Sequence, residues 1–361
     1  MARPAPTGPT VPEPAAPAGS ELPLVDVHDL VLLDLDGVIY LGPDPVPHAA
    51  EAVARVRDAG VRTTFVTNNA SRPPEVVAEH LTELGIRTTR DEVVTSAQAA
   101  AALLAERFPA GSPVLVVGGE GLYAALRERD LTPVASLGED PVAVVQGFSP
   151  DVGWRMLAEG TRAVRAGLPW IATNTDLTVP TPFGPAPGNG TLVAAIRTAS
   201  GVEPEVAGKP QPPLFEEAVK RYGSDRPLAV GDRLDTDLAG AVAAGMPGLL
   251  VLTGVNGATD AINAVPSERP RYLARDLRGL LEAQPAVGRS GDRATCRAAA
   301  VHVENGRLLV DAAGTDPVDL LRAACGAAWT WADARPDGAS PDPAELLRAL
   351  RGLEADLSWA R

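Results

Sequence analysis

Short apolar runs recur along this chain, and each ends abruptly in polar residues or glycine. The first covers residues 30–33 and stops at Asp34, Asp36 and Gly37. An unbroken apolar run closed by a turn signal predicts a strand buried on both faces. Residues 47–59 then show helical spacing and stop at Gly60, and VRTTFVTNN predicts a second buried strand with a polar end. A helix follows, with Pro73 and Pro74 in its first turn and Gly85 beyond its end. The alternation continues through SPVLVVGG, PVAVVQGF and LPWIATN. Beyond GVEPEVAGKP come a helix over 213–222, the strand PLAVGD, a helix over 236–244 and the strand GLLVLTG. This order predicts an α/β protein with parallel sheets covered by helices on both faces. Ligands in that architecture sit beyond the carboxyl ends of the strands, where polar residues gather in this chain.

The flanks break the pattern. Residues 1–27 are rich in Pro and Ala without periodicity and predict a disordered tail. The polar stretch 285–295 predicts a linker. Beyond it AAAVHVENGRLLV predicts a hairpin turning at Asn305-Gly306. Helical segments over about 316–334 and 342–358 complete a small α+β extension spanning 290–361.

With 361 residues, 45% hydrophobic and 22% charged, the chain has material for two or three folded domains. Aromatics make up only 4%, so Val, Leu and Ala must fill the cores. The net charge of −14, without a Lys/Arg cluster, argues against a nucleic-acid partner, which requires a basic face. It also argues against anionic membranes, and no apolar run approaches the roughly 20 residues that span a bilayer. A small phosphorylated substrate stays compatible, because a bound divalent cation reverses the local sign. Cys296 and Cys325 form no CxxC, and the N-terminus lacks the apolar core of a secretory signal. Both point to a reducing, cytoplasmic location.

Four polar elements stand at strand ends or helix starts: Asp34-Leu35-Asp36-Gly37, Thr67-Asn68-Asn69, Gly208-Lys209-Pro210 and the segment from Gly231 to Asp237. Each alone has an ordinary reading as a turn, a cap or a solvated helix N-terminus. Together, in this order, they describe chemistry. Carboxylates at i and i+2 on a strand project to one side. A carboxylate such as Asp34 is a competent nucleophile toward phosphorus. Two carboxylates at close quarters do not both ionise easily, so Asp36 is the one to keep a proton and act as general acid and base. Magnesium favours oxygen ligands and needs only a few carboxylates beside the substrate phosphate.

Over roughly 28–285 these motifs resemble the haloacid dehalogenase superfamily, specifically its NagD-type branch, which includes p-nitrophenyl, phosphoglycolate and pyridoxal phosphatases. The resemblance implies a Rossmann-like catalytic core over 28–94 and 206–285, with an α/β cap domain over 95–205. It implies Mg2+ held by the Asp34 carboxylate, the Asp36 carbonyl oxygen and the Asp232 carboxylate, with Asp237 acting through water. Thr67 and the amides of Asn68 and Asn69 would grip the phosphoryl oxygens, and Lys209 would neutralise charge shared between Asp34 and phosphate. Asn174, Asp176 and Gly188-Asn189-Gly190 match the branch's substrate loop. Leu177-Thr178-Val179, however, stands where pyridoxal and phosphoglycolate phosphatases carry a Trp-His pair. The extension resembles that of actinobacterial glycerol 3-phosphate phosphatases, likened to part of an acetyltransferase. It lacks a Gly-rich loop for a coenzyme A pyrophosphate and is expected to be non-catalytic. The expectation is a Mg2+-dependent phosphatase for a small phosphorylated metabolite, glycerol 3-phosphate first, with a homodimer through the cap. Phosphoglycolate, pyridoxal phosphate and nucleotide monophosphates are the alternatives. A phospho-acceptor signalling module, from a different class, is disfavoured by Asp36.

Overall fold

The computed structural model describes residues 15–179, 181, 183–335 and 339–353. They divide into two compact units, one comprising the chain up to Thr63 and from Ser224 onward, the other Thr64–Gly223.

In the first unit, Tyr272–Ala274, Gly248–Val251, Pro227–Gly231 and Leu30–Leu33 lie side by side in that order, all parallel. Every residue of Leu30–Leu33 and Gly248–Val251 is buried, as unbroken apolar strands require. The ladder continues one residue further, where Asp34 donates its N–H to the Val230 carbonyl at 2.9 Å. Asp34 therefore leaves the sheet edge with its backbone fixed.

Strand Arg62–Thr67 runs across the division, and its last three residues pair in parallel with Val93–Thr95 in the second unit. That unit also holds five parallel strands in the order Glu205–Val206, Trp170–Ala172, Ala143–Gln146, Pro113–Val117 and Thr132–Val134. Leu115, Val144 and Ala172 on one face of this sheet share a core with Ala163, Val164, Val193 and Ile196. The last four belong to helices Trp154–Arg165 and Asn189–Ser200. A sheet of this size explains why about 140 residues separate the Thr67 turn from Lys209.

The extension is an antiparallel sheet of Val287–Ser290, Arg293–Cys296, Ala299–Glu304 and Arg307–Ala312, followed by helices Pro317–Asp333 and Ala344–Leu353. The predicted hairpin is present: Asn305 (φ 51°) and Gly306 (φ 73°) take the left-handed backbone that a tight two-residue turn needs. The expected linker over 285–295 is instead the first strand pair of this sheet. Val287–Ser290 is half-covered at Val287 and otherwise exposed, and Arg293–Cys296 buries only Ala294 and Cys296, which masked the strand signal. Ser20–Val27, expected in the tail, form a short strand paired with Ala283–Gln284 and one helical turn that buries Leu24 and Val25. Two apolar side chains sufficed to draw this proline-flanked stretch onto the core. Residues 1–14 of that expected tail, and 354–358 of the last expected helix, lie outside the described residues.

The extension does not stand apart from the first unit. Cys296, Val301, Leu320, Leu321, Cys325 and Trp329 share one core with Leu234, Leu238, Leu250, Ala261, Ile262 and Leu273. Trp329 donates its indole N–H to the Ala261 carbonyl at 3.0 Å, beneath the Arg269 guanidinium 5.2 Å from its ring centre. Arg322 is buried, and it donates to Asp319, to the Leu273 carbonyl and to Gln284 at 2.6–2.9 Å. This satisfies a charge that would otherwise be costly to bury. Among the described residues, no helix is long and apolar enough to cross a membrane.

Candidate active site

Three carboxylates gather in the first unit. Oxygens of Asp34, Asp232 and Asp237 all lie within 4.8 Å of one another. Asp34 extends from Leu30–Leu33, Asp232 follows Pro227–Gly231, and Asp237 sits in the π-helical turn Leu234–Leu238. Asp232 is 1% exposed and Asp34 9%. At that spacing each pair of unit like charges would repel by about 3.5 kcal/mol or more at an effective dielectric near 20, a cost that a shared cation reverses.

Backbone groups hold the cluster open. Asp232 Oδ2 accepts the Val255 N–H at 2.6 Å, and Asp237 Oδ2 accepts the Arg233 N–H at 3.1 Å. Thr253 donates its hydroxyl to the Gly37 carbonyl at 2.6 Å, tying the loop after Gly248–Val251 to the Asp34–Gly37 turn. Glycines line the carboxylates: a Cβ at Gly37 or Gly254 would fall 2.3 or 2.0 Å from Asp232 Oδ2, and one at Gly231 would fall 2.1 Å from Asp237 Cβ. Gly37 also has φ +82°, which lets the chain turn back after Asp36. Hard oxygen donors, converging and crowded by backbone, suit a magnesium-sized cation.

Asp36 stands outside this trio. Its side chain is exposed, and its backbone bridges to Tyr40. Asp235 is turned away to Arg233, which it meets at 2.7 and 3.0 Å, so Arg233 is engaged in a surface pair.

The second unit holds the Thr67, Asn174 and Lys209 segments together. Thr67 is buried, and its Oγ1 accepts the Asn69 N–H at 3.1 Å. Asn69 caps the turn, its Oδ1 accepting from the N–H and hydroxyl of Ser71. Lys209 is 3% exposed. Asn68 Oδ1 accepts the Lys209 N–H at 2.8 Å, and Asn68 Nδ2 donates to the Lys209 carbonyl at 3.1 Å. Asn174, buried, donates from Nδ2 to the Asn68 carbonyl at 2.7 Å and accepts the Asp176 N–H on Oδ1 at 3.1 Å. The carbonyl of Asn174 in turn accepts from Asn189 Nδ2 at 2.7 Å.

The loop 253–256 was missing from the expected site. It supports the acidic cluster through Thr253, Gly254 and Val255, while Asn256 accepts the Leu234 N–H at 2.7 Å. The available signal was positional: Thr-Gly follows another buried strand at its carboxyl end.

Comparison with known proteins identifies the family and the fold. Residues 31–132 match the haloacid dehalogenase-like hydrolase family, and residues 206–280 match a HAD-hydrolase-like family. The D-glycerol 3-phosphate phosphatase of Mycobacterium tuberculosis is 52% identical over 253 residues, covering 70% of this chain and 71% of the relative. The 5'-nucleotidase YutF of Bacillus subtilis is 39% identical over 226 residues, covering 62% of this chain and 87% of that one. Crystal structures of the M. tuberculosis glycerol phosphate phosphatase superpose with TM-scores of 0.80 in its magnesium complex and 0.83 in its calcium complex. Identities are 45% and 43%, covering 87% and 94% of this chain and 94% and 99% of those chains. Shared sequence and shared fold thus agree that this chain belongs to the haloacid dehalogenase-like hydrolase family.

Proposed function

We propose that this chain is a magnesium-dependent phosphatase acting on a small phosphomonoester, with glycerol 3-phosphate its leading substrate. The gathering of Asp34, Asp232 and Asp237 carries this reading. Magnesium, when bound there, screens the negative charge that crowds around phosphorus during displacement. Asp34 and Asp232 would hold it by their carboxylates and Asp36 by its carbonyl oxygen, with Asp237 acting through water. The Asp34 carboxylate attacks phosphorus and the ester P–O bond breaks, giving an aspartyl phosphate. Asp36 donates its proton to the departing alkoxide, then takes one from the water that attacks the same phosphorus. That second displacement releases inorganic phosphate and restores the Asp34 carboxylate. The Thr67–Asn69 turn grips phosphoryl oxygens, and Lys209 neutralises the charge that Asp34 and phosphate share.

The substrate choice is supported by the name of the 52% identical relative and by the absence of a Trp-His pair at Leu177-Thr178. Two buried thiols, Cys296 and Cys325, stand unbridged and fit the cytoplasm. A homodimer through the cap belongs to the same reading, with Trp154, Leu177 and Phe183 as exposed apolar side chains in that region. Turnover of a phosphoester panel with magnesium tests the substrate. Glycerol 3-phosphate should exceed p-nitrophenyl phosphate and nucleoside monophosphates in kcat/KM. Equal or lower turnover removes it, and a preference for nucleoside monophosphates favours the activity named for the Bacillus relative.

A further inference from the structure

An asparagine side chain has two N–H donors, and in Asn68 both are committed inside the second unit. One meets the Lys209 carbonyl at 3.1 Å. The other faces the two carboxylate oxygens of Asp176 at 3.2 and 3.4 Å. Its Oδ1 accepts the Lys209 N–H at 2.8 Å. No side-chain N–H of Asn68 is left to offer a phosphoryl oxygen.

We propose that Asn68 is a positioning residue for Lys209, gripping the lysine's N–H and carbonyl at once and tying them through Asp176 to the 174–176 loop. The proposal rests on the reading of Lys209 as the group that neutralises transferring phosphate. A lysine side chain is long and rotamer-rich, so its ammonium is well placed only if the Cα–Cβ direction is fixed. A single amide that reads both backbone polar groups of one residue fixes that direction. The amide's own frame is held as well. The Asn68 carbonyl accepts the Ser96 hydroxyl at 2.6 Å and Asn174 Nδ2 at 2.7 Å. Gly208 completes the fit, since a Cβ there would fall 2.5 Å from Asn68 Oδ1 and 2.4 Å from the Thr173 carbonyl oxygen. Three segments remote in sequence are thereby locked at one point, and any displacement of the loop carrying Asp176 is passed to the lysine.

The test is a double-mutant cycle on the full chain, using p-nitrophenyl phosphate with magnesium, with thermal melting to confirm folding. Asn68→Ala should lower kcat by ~10–100-fold, with KM changed by less than about threefold. In a Lys209→Ala background, the same substitution should lower kcat by less than about twofold further, because there is no ammonium left to misplace. Undiminished extra loss in that background, or a raised KM at unchanged kcat, would overturn the proposal and return Asn68 to direct phosphate binding. A Lys209→Ala single variant with wild-type kcat would show a different failure: it removes the catalytic role of Lys209 and the proposal with it. Asn68→Asp supplies a second arm that keeps the residue's shape. It loses both donors and sets a carboxylate against Asp176, so kcat should fall. Asp176→Asn in the same chain restores a donor and should recover at least about fivefold of that loss. No recovery would sink the coupling to the loop.

Discussion

Gly254→Ala isolates the geometry of the acidic cluster from its chemistry, because no functional group is removed. The added methyl would lie 2.0 Å from Asp232 Oδ2 and 2.5 Å from its Cγ, whereas real Cβ contacts essentially never fall under 3.0 Å. Either the carboxylate or the 253–255 loop must therefore move by about 1 Å in a close-packed interior. Asp232 has little freedom to yield, being 1% exposed and fixed by the Val255 N–H at 2.6 Å. A metal ligand displaced that far should weaken magnesium activation by ~10–100-fold, and misplacing reacting groups by about 1 Å should lower kcat at saturating metal by ~100-fold. Magnesium titration of p-nitrophenyl phosphate turnover reads both numbers. Gly257→Ala, at a glycine with open space around its Cβ direction, is the neighbouring control and should leave magnesium activation unchanged. A folded Gly254→Ala protein with wild-type magnesium dependence would refute the claim that Asp232 holds the cation.

Asp34→Asn should reduce phosphate release by at least about a thousandfold while circular dichroism and melting stay close to wild type, since it removes the nucleophile and a charged metal ligand together and leaves the shape of the side chain unchanged. Trp329→Ala should cost ~3–5 kcal/mol in denaturant unfolding, as it empties a fully buried site and strands the Ala261 carbonyl. Deleting 290–361 should yield aggregated protein, and a soluble, fully active truncation would contradict the shared core. Burial lowers the His28 pKa from its ordinary 6.5, so the folded state resists taking up a proton that the unfolded chain accepts. The contribution is intact above pH ~6.5 and declines as pH falls below it. His28→Phe should flatten the stability profile between about pH 7 and 5.5, and an unchanged slope would place the acid sensitivity elsewhere.

The elements that the sequence announced are those whose cause is local. Leu30–Leu33 and Gly248–Val251 are buried on both faces and read as unbroken apolar runs, while Asn305-Gly306 states its turn in two residues. What stayed hidden depends on distant partners. Ser20–Pro23 becomes a strand through Ala283–Gln284, and its proline-rich surroundings pointed the other way. Val287–Ser290 is largely exposed and Arg293–Cys296 is covered on one face only, so both show a mostly polar pattern. The 253–256 loop meets the Asp232 carboxylate through the Val255 N–H and the bare Gly254, and its side-chain contacts from Thr253 and Asn256 go to backbone groups of distant segments, which no local pattern announces. Asn68 reads in sequence as a turn residue beside Thr67, and nothing nearby reveals that its amide is spent on Lys209 and Asp176.

The shared core also bears on how such a chain could gain or shed its tail. Leu234 and Leu238 anchor the turn that carries Asp237, and they lie against the same apolar mass as Leu320, Leu321 and Trp329. A tail-less descendant would uncover an oily flank directly behind the catalytic turn. It could remain in solution only after Leu234, Ala261, Ile262 and their neighbours had been exchanged for polar side chains. Loss of the appendage and resurfacing of the enzyme must therefore proceed together, which makes this terminal segment an inherited commitment of the hydrolase fold it supports.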